Sequence, residues 1–166
     1  MENLHPPYGA SQSLVNLHFQ EAGRPPEQRG DPALQRDRTV EAPAPACILL
    51  AGKSPQLLYL RARIVGAAGM LCSTVDPRKA PDALKASFHD AVVICHTVDA
   101  ENTRIIVRAA YEGQRRTRTL LLTRIPQYVP PALVDCHFDD IYCWYEGVPV
   151  FVTKLRRLVE LPDHRA

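Results

Sequence analysis

The chain has 166 residues, of which 46% are hydrophobic and 23% are charged, and its formal net charge is +2. This length suits one domain with a tail, and the composition excludes collagen, coiled coils and a wholly disordered chain. No apolar run reaches the ~18 residues that a membrane span needs, and the charge is too mild to favour nucleic acid, so neither partner is expected.

The first 46 residues differ in composition from the rest. They hold seven of the fifteen prolines, and they carry four Arg against six Asp and Glu, whereas residues 47–166 carry sixteen Lys and Arg against twelve Asp and Glu. Proline fixes φ and removes a backbone donor, so regular structure cannot propagate through such a segment. The sequence therefore predicts a disordered proline-rich tail at 1–46 and a folded domain at 47–166.

Five runs rich in apolar and β-branched residues follow the tail, and each is short enough to be a strand. They lie at residues 47–51, 70–75, 91–95, 119–123 and 140–144. Continuous apolar strands are typical of a parallel sheet that is buried on both faces.

Four helices are predicted after the first, second, third and fifth strands. They lie at residues 55–68, 81–88, 100–113 and 150–161. Ser54 is expected to cap the first helix, and Leu57, Leu60 and Ile64 are expected to face inward from it. Phe88 is expected to face inward from the second helix. Prolines at 126, 130 and 131 predict that any helix between the fourth and fifth strands is short and broken.

Strictly alternating strands and helices predict a doubly wound α/β fold. Five strands in this length favour the flavodoxin-like order 2-1-3-4-5, in which the functional crevice lies at the carboxyl ends of the first and third strands. The residues that this order places at the strand ends are Ala51, Gly52, Lys53, Cys95, His96 and Thr123.

Residues 47–161 resemble the receiver domain of two-component response regulators. The resemblance rests on the order and spacing of the elements and on three stretches, residues 90–94, 121–123 and 139–142. It implies a cytoplasmic protein of bacterial-type two-component signalling. Its expected partner is another protein, either a signalling kinase, a regulator or an output protein, and a homodimer is left open.

The sequence departs from the receiver pattern at the positions that carry the chemistry. Receivers have an acidic pair that holds Mg²⁺, a phosphoacceptor Asp after the third strand and a Lys after the fifth. These positions read Ala51-Gly52, Cys95 and Trp144, and only the hydroxyl of Thr123 is retained. Phosphoryl transfer to Asp needs a carboxylate and a cation held by oxygen ligands. The resemblance therefore implies a degenerate pseudo-receiver, without enzymatic activity, metal or cofactor, that binds proteins independently of phosphorylation.

Three aromatic residues cluster where the fifth strand ends, at Tyr142, Trp144 and Tyr145. Aromatic side chains are enriched at interfaces, so these form the candidate partner surface, with core packing as the alternative. Two other functions stay open. One is a ligand-binding or thiol-dependent module that uses the crevice at Cys95 and His96, and the other is a phosphorelay component with atypical chemistry.

The chain has five cysteines, an odd number, and its first 20 residues do not predict an export signal. We therefore expect a reducing cytoplasmic compartment. The pair Cys136-His137, with Cys143 nearby, matches no standard zinc spacing. A basic cluster at residues 115–118 and Arg124 is interpreted as a solvated rim.

Overall fold

The computed structural model describes residues 44–113, 115–126 and 128–161. The predicted disordered tail lies outside these residues except for its last three. Five strands are observed: β1 (Cys47–Ala51), β2 (Leu71–Val75), β3 (Ala91–Ile94), β4 (Arg118–Thr123) and β5 (Asp140–Cys143). Four α-helices accompany them: α1 (Pro55–Ala67), α2 (Ala80–Ala86), α3 (Ala100–Glu112) and α4 (Val148–Glu160).

The five strands form one parallel sheet in the order β2-β1-β3-β4-β5. This confirms the predicted flavodoxin-like order. Side chains alternate between the faces along each strand, so Ile48 and Leu50 enter one hydrophobic cluster while Leu49 and Ala51 enter the other. Among the described residues, no helix is long and apolar enough to cross a membrane.

Helices cover both faces of the sheet. Leu58 and Val65 of α1 and Leu155 of α4 pack in the cluster of the first face, and Ile106 of α3 and Ala80 of α2 pack in that of the second. The central strands β1, β3 and β4 are therefore buried on both sides, which accounts for their continuous apolar sequences.

Two helices begin where the sequence predicts, just beyond the strands that build the crevice. Ser54 Oγ accepts a hydrogen bond from the Leu57 amide at 3.4 Å, with Pro55 in the first turn of α1. Asp99 Oδ1 accepts one from the Asn102 amide at 2.9 Å and caps α3. These caps fix the short loops that follow β1 and β3.

Two residues that were predicted to face inward, Leu60 and Phe88, are exposed, whereas Ile64 packs against the core as predicted. Leu60 is 56% exposed, because α1 is rotated so that Leu58 and Val65 reach the core. Phe88 lies beyond the end of α2 and is exposed, with the Arg115 guanidinium 4.6 Å above its ring. A cation over an aromatic face stabilises the ring without burial.

The connection between β4 and β5 contains one 3₁₀ turn, Pro131–Leu133, among its described residues. Parallel neighbours are usually joined through a full helix. The prolines predict this shortened connection, and it leaves the end of β4 and one side of α3 covered by loop alone.

Two aspartates tie the amino ends of neighbouring strands together. Asp90, before β3, accepts a hydrogen bond from the Cys47 amide at 2.7 Å through its carboxylate. Asp139, before β5, accepts hydrogen bonds from the Thr119 amide at 2.8 Å and the Thr119 hydroxyl at 3.0 Å. Each carboxylate thus fixes the register of one parallel pair.

Asp139 also forms ion pairs with two arginine side chains. Arg116 Nη2 lies 2.6 Å and Arg118 Nη1 3.5 Å from Asp139 Oδ1, and the carboxylate side chain is only 7% exposed. Removing this carboxylate takes an acceptor from the Thr119 amide and hydroxyl and a counter-charge from the two arginines, which is more costly than losing a surface ion pair.

We therefore expect Asp139→Ala to lower the free energy of unfolding by about 3–5 kcal/mol, measured by urea denaturation. The matched control is Asp135→Ala, four residues earlier and exposed, which should change stability by less than about 0.5 kcal/mol. Equal effects of the two substitutions would contradict this role of Asp139.

Candidate functional site

The crevice at the carboxyl ends of β1 and β3 is filled by direct packing of Gly52 against Cys95. A Cβ atom placed on Gly52 would lie 3.1 Å from Cys95 Cβ, 3.1 Å from Cys95 Sγ and 3.1 Å from Leu58 Cδ2. These separations are shorter than the ~3.5–4.0 Å at which carbon atoms pack. A side chain at position 52 therefore requires the Cys95 and Leu58 side chains to move by a few tenths of an ångström.

Cys95 is a buried thiol and is 1% exposed. Burial raises the pKa of the Cys95 thiol. The nearby Arg61 guanidinium acts in the opposite direction, but its effect is smaller than that of burial. The thiol therefore stays protonated at neutral pH, and the thiolate needed for nucleophilic chemistry is suppressed. The predicted crevice residues Ala51 and Gly52 are likewise buried.

Arg61 of α1 lies over the filled crevice and pairs with His96. Arg61 Nη2 lies 3.4 Å from His96 Nδ1. Because a guanidinium can only donate, Nδ1 must accept and the imidazole is neutral. Burial lowers the pKa of His96, and the positive charges of Arg61 and Arg124 lower it further. His96 Nδ1 is thus engaged by Arg61, and this arrangement does not favour His96 as a general base for Cys95.

Sequence reasoning missed Arg61. Its spacing from the buried residues Leu58 and Val65 is three and four positions, which places it on the same face of α1. That signal was hidden because Leu57, Leu60 and Ile64 offered a competing apolar face.

Lys53 is held away from the crevice floor by an ion pair. Its Nζ lies 2.7 Å from Asp99 Oδ2, and its amide donates to Thr97 Oγ1 at 3.2 Å. The hydrogen bond from Lys53 and the donors of Asn102 hold the pKa of Asp99 well below its usual range. The Asp99 carboxylate is therefore occupied as a helix cap and ion-pair partner.

Thr123 ends β4 as predicted, and its hydroxyl forms a hydrogen bond within the protein. Thr123 Oγ1 donates to the Ile125 carbonyl at 2.9 Å, and the residue is buried. The hydroxyl that the receiver pattern retains thus closes a local turn.

The residues at the crevice do not fit the Mg²⁺ ion that the receiver fold implies. Mg²⁺ requires oxygen ligands in near-octahedral geometry. Ala51 and Gly52 have no side-chain oxygen, Cys95 offers sulfur, and the Arg61 guanidinium adds positive charge beside them. In addition, no group of three or more His, Cys, Asp and Glu side chains could hold a metal ion in the part of the chain that the structure describes.

The aromatic residues at the end of β5 divide into a core residue and an exposed pair. Tyr142 is buried, with its ring 5.1 Å from that of Phe151 and its hydroxyl donating to the Gly147 carbonyl at 3.0 Å. Its assignment to a partner surface is therefore wrong. Trp144 and Tyr145, which we call the aromatic pair, are 51% and 69% exposed, and their rings stack with centroids 4.0 Å apart.

The aromatic pair lies on the 3₁₀ turn Trp144–Glu146 that follows β5 directly. Glu146 stabilises this turn, since its Oε2 accepts a hydrogen bond from the Cys143 amide at 2.7 Å. The turn redirects the chain, so Trp144 does not continue the strand alternation that would have placed it on the same face as Tyr142.

Comparison with solved structures identifies this architecture. The domain has the fold of response regulator receiver domains. The chemotaxis protein CheY4 of Vibrio cholerae superposes with a TM-score of 0.59 at 16% identity, covering 69% of this chain and 99% of that one. The receiver domain of a signal transduction histidine kinase from Syntrophus aciditrophicus gives 0.61 at 18% identity, covering 73% and 95%.

A third similar structure is the receiver domain of a Pseudomonas aeruginosa sensor histidine kinase, with a magnesium ion coordinated in its active-site cleft. It gives a TM-score of 0.55 at 19% identity and covers 71% of this chain and all of that one. No protein-family model and no curated protein matches the sequence. The structural similarity establishes the receiver fold. Because the sequence identities are low, the activity of this chain has to be argued from its own residues.

Substitution of two glycines tests whether the crevice is filled. Gly52→Ala should lower the free energy of unfolding by about 1–3 kcal/mol, because the added methyl group overpacks the contact with Cys95 and Leu58. The control is Gly66→Ala within α1, where a Cβ meets nothing within 4 Å. It should stabilise the protein by about 0.5–1 kcal/mol, measured by the same denaturation.

The cost of Gly52→Ala should shrink in a Cys95→Ala background, since one of the three close atoms is then absent. If Gly52→Ala stabilised the protein as Gly66→Ala does, the crevice would have room for a side chain and the description above would be wrong.

Proposed function

We propose that this chain is a pseudo-receiver of two-component signalling that acts by binding another protein without being phosphorylated. The receiver fold supports the coarse assignment. The finer one is carried by a single observation, the close contact of Gly52 with Cys95 where a receiver needs a metal-binding acid and a phosphoacceptor.

The residues at the crevice do not favour metal binding or phosphoryl transfer, because of their side-chain types and charges. A metal ligand at position 52 meets Cys95 and Leu58, and the thiol of Cys95 is buried and neutral. The cation beside that thiol is the Arg61 guanidinium of the chain itself. Arg61 and His96 hold the loop after β3 to α1. The site is thus set in one arrangement, and we propose no enzymatic activity for it.

The aromatic pair supports protein binding as the remaining function. Two large aromatic rings stacked on each other and exposed to solvent retain apolar area that a partner can bury. Trp and Tyr are enriched among the residues that dominate binding energy. We propose that a kinase, regulator or output protein of a two-component system docks on this pair.

The test screens purified kinase and output domains of two-component proteins from the same organism for binding to the full chain by biolayer interferometry. Trp144→Ala should weaken binding to the recognised domain about 30-fold, which corresponds to roughly 2 kcal/mol. The matched control is Tyr59→Ala on α1, which removes an equally exposed aromatic ring from another surface and should leave affinity unchanged.

Circular dichroism shows whether each variant is folded. Light scattering of the chain alone separates a heterologous partner from self-association. Binding that Trp144→Ala and Tyr59→Ala reduce equally would contradict the assignment of the interface, and failure of every domain to bind would contradict the proposed function.

A further inference from the structure

A cavity opens beside the filled crevice, between the ends of β3 and β4, α3 and the loop that follows β4. Its volume is about 260 Å³. The buried residues of its lining are Cys95, Thr103, Leu121, Leu122, Thr123 and Leu133. Among its described residues, the connection between β4 and β5 forms a 3₁₀ turn, and Leu133 of that turn lines the cavity.

The interior of the cavity is apolar in effect. Its two wall hydroxyls are already engaged, because Thr103 Oγ1 donates to the Asp99 carbonyl at 2.8 Å and Thr123 Oγ1 donates to the Ile125 carbonyl at 2.9 Å. Neither has a proton left for a ligand. An apolar cavity of about 150 Å³ already holds a benzene ring, so this one accommodates a ring or branched chain with a short arm.

The mouth of the cavity is polar and positively charged. His96, Arg124 and Tyr128 lie around it, and Arg124 is the only charged side chain among the described lining residues. Arg61 adds a second positive charge behind His96, and both guanidinium groups act on that imidazole. The nearby carboxylate of Asp99 does not oppose this charge freely, because it is paired with Lys53.

We propose that this cavity binds a small organic anion with a compact apolar body, aromatic or branched, and one carboxylate. The body fills the space between Leu121 and Leu133, and the carboxylate lies at the mouth beside Arg124. Charge complementarity favours an anionic ligand over a neutral or cationic one, since Arg124 and no acidic side chain lines the described part of the cavity. The site does not depend on the proposed protein partner.

Isothermal titration of the full chain with phenylacetate and with isovalerate tests the proposal, with benzyl alcohol and phenethylamine as neutral and cationic comparisons. Both acids should bind with one-to-one stoichiometry in the millimolar range or tighter. Benzyl alcohol should bind more weakly than phenylacetate, and phenethylamine more weakly still.

Three variants locate the binding. Arg124→Gln, an exposed change, should weaken phenylacetate about fivefold and leave benzyl alcohol unchanged. Arg78→Gln, an exposed arginine after β2, is the matched control and should change neither. Leu133→Phe fills the cavity and should abolish binding of all four compounds while circular dichroism shows a folded domain.

Absence of binding by both acids at millimolar concentration would overturn the proposal. It would also be overturned by equal affinity for phenylacetate and phenethylamine, or by unchanged binding to both Arg124→Gln and Leu133→Phe. If Leu133→Phe fails to fold, the Arg124→Gln and Arg78→Gln comparison still decides the outcome.

Discussion

The contact between Gly52 and Cys95 is the constraint from which the properties of this domain follow. In a doubly wound sheet the carboxyl ends of neighbouring parallel strands meet at one edge, and their side chains either leave a crevice or fill it. Here the absence of a side chain at Gly52 lets the Cys95 thiol and Leu58 close the space. The domain has the receiver fold, and Cys95 at the end of its third strand belongs to the hydrophobic core.

Closing the crevice changes the electrostatics around it. Arg61 lies beside both Cys95 and His96, and its positive charge adds to the effect of burial in keeping His96 neutral. Lys53, which follows the first strand, pairs instead with the Asp99 cap of α3. Lys53 and Asp99 thus neutralise each other, and the positive charges of Arg61 and Arg124 are left near the mouth of the adjacent cavity.

Much of the fold can be predicted from the sequence because its signals are local. The apolar runs of β1, β3 and β4 are continuous since both faces are buried, and the caps at Ser54 and Asp99 depend on the next three residues only. The rotation of α1 could not be predicted in the same way. Leu60 and Arg61 compete for the inward face, and long-range packing of Leu58 against Gly52 decides between them.

The candidate site was only partly predictable for the same reason. Its strand-end residues follow from topology, and the missing acids are visible in the sequence. The filled crevice, the Arg61–His96 pair and the cavity depend on contacts between distant segments. Tyr142 was misassigned because the chain leaves strand geometry immediately after Cys143, so alternation no longer relates it to Trp144.

The most direct test of the central claim is exposure of the full chain to Mg²⁺ and acetyl phosphate, followed by intact-mass measurement, with an authentic receiver domain treated in parallel. The wild type and Cys95→Asp should both remain unmodified, since restoring the carboxylate alone supplies no metal ligand at positions 51 and 52. A gain of one hydroxylamine-sensitive phosphoryl group on the wild-type chain would contradict the account, and a gain on Cys95→Asp would show that the crevice still admits the metal and the phosphodonor.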